Sequence, residues 1–353
     1  MESLSERQKL ILGLVVQEYV ETAKPVGSKK LVERFDLELS SATVRTEMSA
    51  LCSGGFLRQP HTSAGRIPTE EGYRFFVGEL MQRPTIPESV RHTISHQFYQ
   101  ARHDVDQWMR LAASVLAARS QAVSLVTSPQ SGSARFKHLE LILTTGRQVL
   151  MVVVLMNGEV RQQMLVLSET VTQEKLSSTA DQFNRRYSGK ATRELLSSPK
   201  DVSALEQDIF RLVTEEINRT EMTISGEVYQ DGWSNVLAEP EFSASEDARK
   251  AIRVFEERPL LDDLLTQTVM NSDIGGVQVL IGGEGTWEEL SDFSLVLARY
   301  GTPELATGFL GVLGPLRMSY GNAITTVNFI GGLLSNLISE TMGNGSETSI
   351  PQS

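Results

Sequence analysis

Two breaks set the plan of the first 80 or so residues: Lys24-Pro25-Val26-Gly27 and Gly54-Gly55 interrupt apolar patterns of helical period. One long helix is excluded, and three short ones remain. From Leu4 to Thr22, Ile11, Leu14, Val15 and Tyr19 share a face, with Glu6, Arg7, Lys9 and Glu18 around them. Ser28 is the expected cap of a second helix, Lys29 to Phe35, with Leu31 and Val32 inward, and a turn follows through Asp36 to Leu39. Ser40 and Ser41 offer hydroxyl caps to a third helix, in which Val44, Met48 and Leu51 stand at i, i+4 and i+7. Its opposite face carries Ser41, Arg45, Thr46 and Ser49, with Glu47 awkwardly close by. Short polar side chains and one guanidinium suit a helix that enters a major groove.

Beyond Gly54-Gly55, Phe56 to Gln59 reads as a strand leading into a hairpin tipped by Pro60-His61-Thr62-Ser63-Ala64-Gly65, with Arg66 on the return arm. Thr69 can cap a further helix beginning at Glu70-Glu71, whose carboxylates suit the positive end of its dipole, and Tyr73, Phe76, Val77 and Leu80 give it an inward stripe. Pattern alone leaves two readings open. Three short helices and a hairpin serve equally as an ordinary structural subdomain and as a winged nucleic-acid reader.

Charge bears on that choice. The net charge of −11 opposes phosphate binding by the whole chain, yet Gly54 to Thr69 carries Arg58, His61 and Arg66 and no acidic residue. A local basic surface is therefore compatible with the acidic total. The 353 residues and 40% apolar content suffice for two or three domains. The one cysteine, Cys52, excludes an intramolecular disulfide framework and fits a reducing compartment. The N-terminus lacks a basic leader and a long apolar run, and Val149 to Met156 is shorter than the roughly 20 residues of a membrane helix. A cytoplasmic chain without a membrane partner is expected.

Arg83-Pro84-Thr85-Ile86-Pro87 reads as a linker, followed by an interrupted helical pattern through Val90, Ile94, Val105, Trp108, Leu111, Val115 and Leu116. The period then changes to that of strands at Ala122 to Thr127, Phe136 to Thr144, Gln148 to Met156 and Val160 to Leu167, with Asn157-Gly158 as the strongest hairpin signal. Thr172 to about Arg258 reads as polar and helical. Strands return at Gly276 to Gly282, Phe293 to Arg299 and Leu305 to Leu313, and a helix from Tyr320 to Glu340 precedes a polar tail, Gly343 to Ser353, expected to be disordered. Strands, a helical stretch, then strands and a helix describe an α+β chain with one sheet domain interrupted by an insertion.

Other chemistry is poorly supported. Gly282-Gly283-Glu284-Gly285 lacks the Lys-Ser/Thr of a phosphate loop and the third glycine of a dinucleotide fingerprint. His92 and His96 lie four apart without further ligands, so a solvated helix face is expected rather than a metal site. Met151, Met156 and Met164 read as core, and Cys52 as a small apolar residue without a partner thiol. No nucleophile, base or paired-carboxylate motif is identifiable, so the expectation is neither an enzyme nor a cofactor protein.

The strings LSERQKLIL, PVGSKKL, SSATVRTEMSAL and QPHTSAGRIPTEEGYRFFV resemble, in order and spacing, the HrcA-type heat-inducible repressor family, and SNVLAEPEF, IGGE, FSLVLARYG and GVLGPLRMSY resemble its later blocks. The resemblance departs at Thr46, where the family commonly has Asn, at Cys52, where it has Glu, and at Gly285, where it has Asn. It implies a winged helix-turn-helix over residues 1–83, a GAF-like sheet domain over 88–170 and 259–340, an inserted, mostly helical dimerisation segment over 171–258 and a tail over 341–353. It assigns contact with double-stranded DNA to Ser41, Thr43, Arg45, Thr46, His61, Thr62, Ser63 and Arg66. It further implies a homodimer on an inverted-repeat operator of chaperone operons, kept active by a GroEL-type chaperonin. A repressor released by a small metabolite in the sheet domain is the main alternative, and a winged-helix scaffold for protein contacts is a third.

Overall fold

The computed structural model describes residues 4–62, 64–81, 84–101, 104–131, 135–156, 158, 160–167, 170–190, 204–222, 227–242, 246–269, 274–302 and 305–343. Ser63, Arg83, Asn157 and the tail beyond residue 343 lie outside them. The chain forms two compact units, one of residues 1–129, 226–301 and 308–353, the other of residues 130–225 and 302–307. Helix and sheet are mixed, as the pattern predicts.

The first unit begins with α1 (Glu6–Thr22), where Ser5 and Gln8 cap each other's backbone reciprocally. Next come α2 (Ser28–Phe35) and α3 (Ser41–Ser53). Ile11, Leu12, Val15, Val16, Leu31, Val44, Met48 and Leu51 close the core of this trio. Ser28 is not the cap of α2. The helix starts at Ser28 itself, Gly27 takes the cap position, and no side chain caps that end. Strands β1 (Leu57–Arg58) and β2 (Ile67–Pro68) form an antiparallel ribbon, and α4 (Glu70–Phe75), capped by Thr69, continues as a wider π turn over Phe76–Leu80. Tyr73 is buried, whereas Phe76, Val77 and Leu80 are half-buried, because the wider turn swings them off the stripe that an α-helix would give.

After α5 (Glu88–Gln100) the helical pattern breaks, and Asp104 caps α6 (Val105–Ser120) by accepting from the Gln107 amide at 3.0 Å. Strand β3 (Val123–Thr127) is buried at every position.

The second unit opens with the short β4 (Gln130–Ser131), paired with residues 306 and 307. A meander follows, of β5 (Phe136–Thr145), β6 (Gln148–Leu155) and β7 (Val160–Val166). Gly158 takes φ +89° in the β6–β7 turn, a conformation that glycine supplies without strain. Helices α7 (Gln173–Tyr187) and α8 (Ala204–Met222) contribute Leu176, Ala180, Phe183, Tyr187, Ile209 and Val213 to a core with Phe136, Leu139, Leu141, Val149, Met151, Val153 and Leu155. On the other face, among the described residues, Ile142, Val160, Met164 and Val166 stand exposed. Met151 is core as expected, but Met164, on the outward-alternating side of β7, is 52% exposed, and Met156, just past the end of β6, is 48% exposed.

Returning to the first unit, β8 (Val228–Asp231) is a strand inside a stretch whose sequence reads as helical. Four residues are too few to display a period, and pairing with β3 determines their state. Helices α9 (Trp233–Leu237), α10 (Glu246–Glu256) and α11 (Arg258–Val269) precede β9 (Val277–Ile281), β10 (Phe293–Thr302) and β11 (Ala306–Pro315), and α12 (Tyr320–Gly343) ends the described chain. The sheet runs β8-β3-β11-β10-β9, with Leu125 opposite both Gln230 and Gly311. Helices α6 and α12 pack together beside it, burying Trp108, Leu116, Val327 and Leu334. Among the described residues no helix is long and apolar enough to cross a membrane.

Candidate nucleic-acid interface

The interface starts from the way α3 divides its faces. The Ser40 hydroxyl accepts from the Thr43 amide at 3.1 Å and lies 2.9 Å from the Thr43 hydroxyl, fixing the helix start. With Val44, Met48 and Leu51 buried on the other trio helices, Ser41, Arg45, Thr46 and Ser49 are turned to solvent. The Thr46 hydroxyl donates to Ala42 O at 3.1 Å and that of Ser49 to Arg45 O at 2.9 Å. Their protons are thus spent on the backbone. What these hydroxyls offer outward is acceptor capacity, suited to amino groups on base edges. Glu47, which looks misplaced in the sequence, pairs with Arg7 of α1 at 3.5 Å and is drawn to the side of the helix.

The ribbon is braced at both ends. At its base the Thr69 hydroxyl donates to Gly55 O at 2.6 Å, and the rings of Phe56 and Phe75 meet edge to face at 5.5 Å. At its tip Gln59 Nε2 donates to Thr62 O at 2.8 Å and to Ala64 O at 3.0 Å. A third backbone segment joins it: Val26 and Arg66 exchange amide-to-carbonyl hydrogen bonds of 2.9 and 2.8 Å. At the adjacent Gly65 a Cβ would run into the Val26 backbone, so this close approach requires glycine. The Lys24–Gly27 break is therefore also an edge of the ribbon.

Between α3, this break and the ribbon lies an open concavity of about 270 Å³, lined by Gly27, Ser28, Arg45, Gln59, Thr62 and Arg66 among others. Among the described residues no carboxylate lines it, and the Arg66 Nε is buried without a hydrogen-bond partner, a donor in need of an acceptor. Of the residues singled out in the sequence, Arg45, Thr62 and Arg66 meet here; Ser41, Thr46 and His61 are exposed around them; Thr43 is half-buried against Ser40. Ser63 lies outside the described residues. Sequence reasoning missed Gln59 and Ser28 as members of this surface. The one available signal was the glycine pair Gly27 and Gly65, which permits two backbone segments to touch.

Known proteins align with this chain throughout its length. The family described as HrcA protein C terminal domain matches residues 106–324. The heat-inducible transcription repressor HrcA of Roseiflexus sp. (strain RS-1) is 41% identical, covering 96% of each chain, and that of Herpetosiphon aurantiacus is 39% identical, covering 96% of this chain and 97% of its own.

This chain belongs to the HrcA family.

A crystal structure at 2.2 Å of a protein described only as hypothetical, 23% identical, superposes with a TM-score of 0.56 over 96% of this chain and 98% of that one, a likeness of fold. The family match begins within α6, so the concavity and ribbon lie outside it; the full-length HrcA relatives extend over them.

His92 and His96 are both exposed on α5, and among the described residues no three His, Cys, Asp or Glu side chains gather as metal ligands. At Gly282 an added Cβ would meet the Glu70 carboxylate, which Arg74 pairs at 3.2 Å.

Proposed function

We propose that this protein represses heat-shock chaperone operons by binding an inverted-repeat operator as a homodimer. In this reading residues 1–83 are a winged helix-turn-helix: α3 enters the major groove, with Ser41, Arg45 and Thr46 towards the bases, while His61, Thr62, Ser63 and Arg66 of the ribbon meet the phosphates or the minor groove. One observation carries it. The concavity, with no carboxylate in its lining among the described residues, brings Arg45, Thr62 and the Arg66 Nε, buried without a hydrogen-bond partner among them, together beside a polar helix face in a chain whose net charge is −11.

The rest of the proposal is built around that module. Residues 88–170 and 259–340 are read as a GAF-like sheet domain and 171–258 as its inserted, mostly helical dimerisation segment, with the β5–β6–β7 meander, which shares a core with α7 and α8 of that segment, grouped with it for self-association. The outward face of the meander supports self-association: Ile142, Leu150 and Met164 form one cross-strand row, His138, Val154 and Val160 another, with Glu140, Val152 and Gln162 between. A face that mixes these apolar side chains with the His138–Glu140 pair can meet its own copy across a two-fold axis, and the operator's symmetry would mirror that axis. Dependence on a GroEL-type chaperonin follows from the family resemblance, and with it a cytoplasmic setting in which heat diverts the chaperonin and releases the operons.

The test is binding of purified protein, at fixed salt, to a duplex carrying the inverted repeat and to one with a scrambled half-site, each with and without chaperonin. Selective binding that chaperonin enhances is expected. Absence of selectivity from folded dimer would overturn the repressor reading, and indifference to chaperonin would overturn the thermometer alone.

A further inference from the structure

Four sequence blocks of the sheet domain, Ser234 to Phe242, Ile281 to Glu284, Phe293 to Gly301 and Gly311 to Tyr320, have no part in the interface described above. In the fold they converge on one junction with α1 and α4. Arg317, only 11% exposed, pairs with Glu239 and Glu241, the latter at 3.1 Å from Nη2, and its Nη1 donates to Val20 O near the end of α1 at 3.4 Å. Phe242, next to Glu241, stacks on Phe293 at 4.4 Å with the rings 4° apart. On α4, Arg74 donates to Ile281 O at 3.1 Å, and Glu70 packs on Gly282, which adopts φ +65°. The buried Tyr73 ring lies 5.9 Å from that of Tyr320, whose hydroxyl donates to Leu316 O at 2.7 Å and lies 2.6 Å from the Ser294 hydroxyl.

We infer that Arg317 is a positioning residue for DNA binding: it locks α1 to the sheet domain and so sets the angle at which α3 is presented, and hence the half-site spacing that the dimer accepts. A guanidinium suits this task because its planar fork reaches two carboxylates and a carbonyl at once, and a lysine cannot. Glu239 and Glu241 come from one block, Arg317 from another and Val20 from the module itself, so removing the guanidinium unties three segments together. The module keeps its own core and its concavity. Arg74 and Tyr73 still hold α4 to Ile281 and Tyr320, so what the module loses is the tie at α1 and with it part of its fixed orientation, which a single half-site does not sense and two half-sites at fixed spacing do.

The consequence for operators rests on the repressor reading; the joint itself does not. In the full-length protein, spin labels on Cys52 of α3 and on Asn328→Cys, exposed on α12, diluted with unlabelled chain, report the intramolecular distance without DNA. The wild-type background should give one narrow distribution and Arg317→Met a broad one, with Arg317→Lys between. On DNA, wild type should prefer the native half-site spacing to a respaced duplex by roughly a hundredfold, and Arg317→Met by about tenfold or less, with binding to an isolated half-site unchanged. A distribution that stays narrow, or an unaltered spacing preference, overturns the inference. Should Arg317→Met fail to fold by circular dichroism, Gly282→Ala, which strains the same joint at a positive φ from the sheet side, is held to the same outcomes. If wild type itself binds no operator, the repressor reading has failed and the label distances alone decide the joint.

Discussion

Arg7 on α1 and Glu47 on α3 form an ion pair at 3.5 Å, with 54% and 20% of their side chains exposed, and this pair keeps a carboxylate on the proposed reading helix from facing DNA. Its value to the fold is small, because exposed pairs contribute at most about 1 kcal/mol. Its value to binding is larger. Arg7→Ala should leave thermal unfolding nearly unchanged yet weaken binding to every duplex, and Glu47→Gln in the same chain should restore it. Fluorescence anisotropy on specific and unrelated duplexes reads both effects, and equal affinity in Arg7→Ala would mean that the carboxylate never approaches the phosphates.

Arg45 and Gln59 line the same concavity and should fail in different ways. Arg45→Ala removes a charge as well as a fork of donors, so affinity should fall by about 1–3 kcal/mol and, if the contact is to phosphate, the salt slope should drop by about one ion. Gln59→Ala removes two hydrogen bonds that brace the ribbon tip at Thr62 and Ala64. It should weaken binding by about 1–2 kcal/mol with the salt slope intact, since no charge is lost. Titrations at several salt concentrations separate the two, and a slope altered by Gln59→Ala would show that the tip moves a cation as well.

What could be read from the sequence followed local period. Val44, Met48 and Leu51 announce the buried face of α3, and the strand runs at Phe136, Gln148 and Val160 fall within a residue or two of β5, β6 and β7. Contacts between distant segments left no such trace. One residue, Val26, bridges to Arg66 across 40 positions, and Arg7 reaches Glu47 across the same span. Strand β7 misleads for a physical reason: Val160, Met164 and Val166 make its apolar side, so a rule that buries the apolar side points it inward, while the fold buries Leu165 of the side that also carries Arg161 and Gln163. The surface groups of the proposed site were legible as residue types, and their meeting in one concavity was not.

Tyr300 gives the sheet domain a defined alkaline limit. Its hydroxyl is buried, donates to Thr127 O and lies 3.1 Å from the Met109 sulfur, and burial holds its pKa far above the ordinary value of 10.0. The folded state therefore keeps a proton that the unfolded chain releases near pH 10, so this stability is fully present below that pH and is lost as pH rises beyond it. Tyr300→Phe should cost about 1 kcal/mol at neutral pH through the lost hydrogen bond. It should also lose less stability than wild type between about pH 8 and about pH 10.5 in urea unfolding. Parallel losses in the two proteins would mean that other buried tyrosines, Tyr73 first among them, set the alkaline limit.

Met164 tests the proposed dimer. It stands 52% exposed at the end of the row Ile142, Leu150, Met164 on the outward face of the meander, while the opposite face of the same sheet closes over Phe136, Leu139 and Phe183. A charge placed there meets water in the isolated chain, so at concentrations where both proteins are monomeric Met164→Glu should leave the unfolding free energy within about 0.5 kcal/mol of wild type. Across a self-paired face each copy would bury that carboxylate against apolar partners and against its own counterpart, costing roughly 1–3 kcal/mol per copy. Sedimentation velocity should then show dissociation at concentrations where wild type is dimeric, and binding to an inverted repeat should fall towards that of a single half-site. A Met164→Glu protein that remains as dimeric as wild type would move the interface off this sheet.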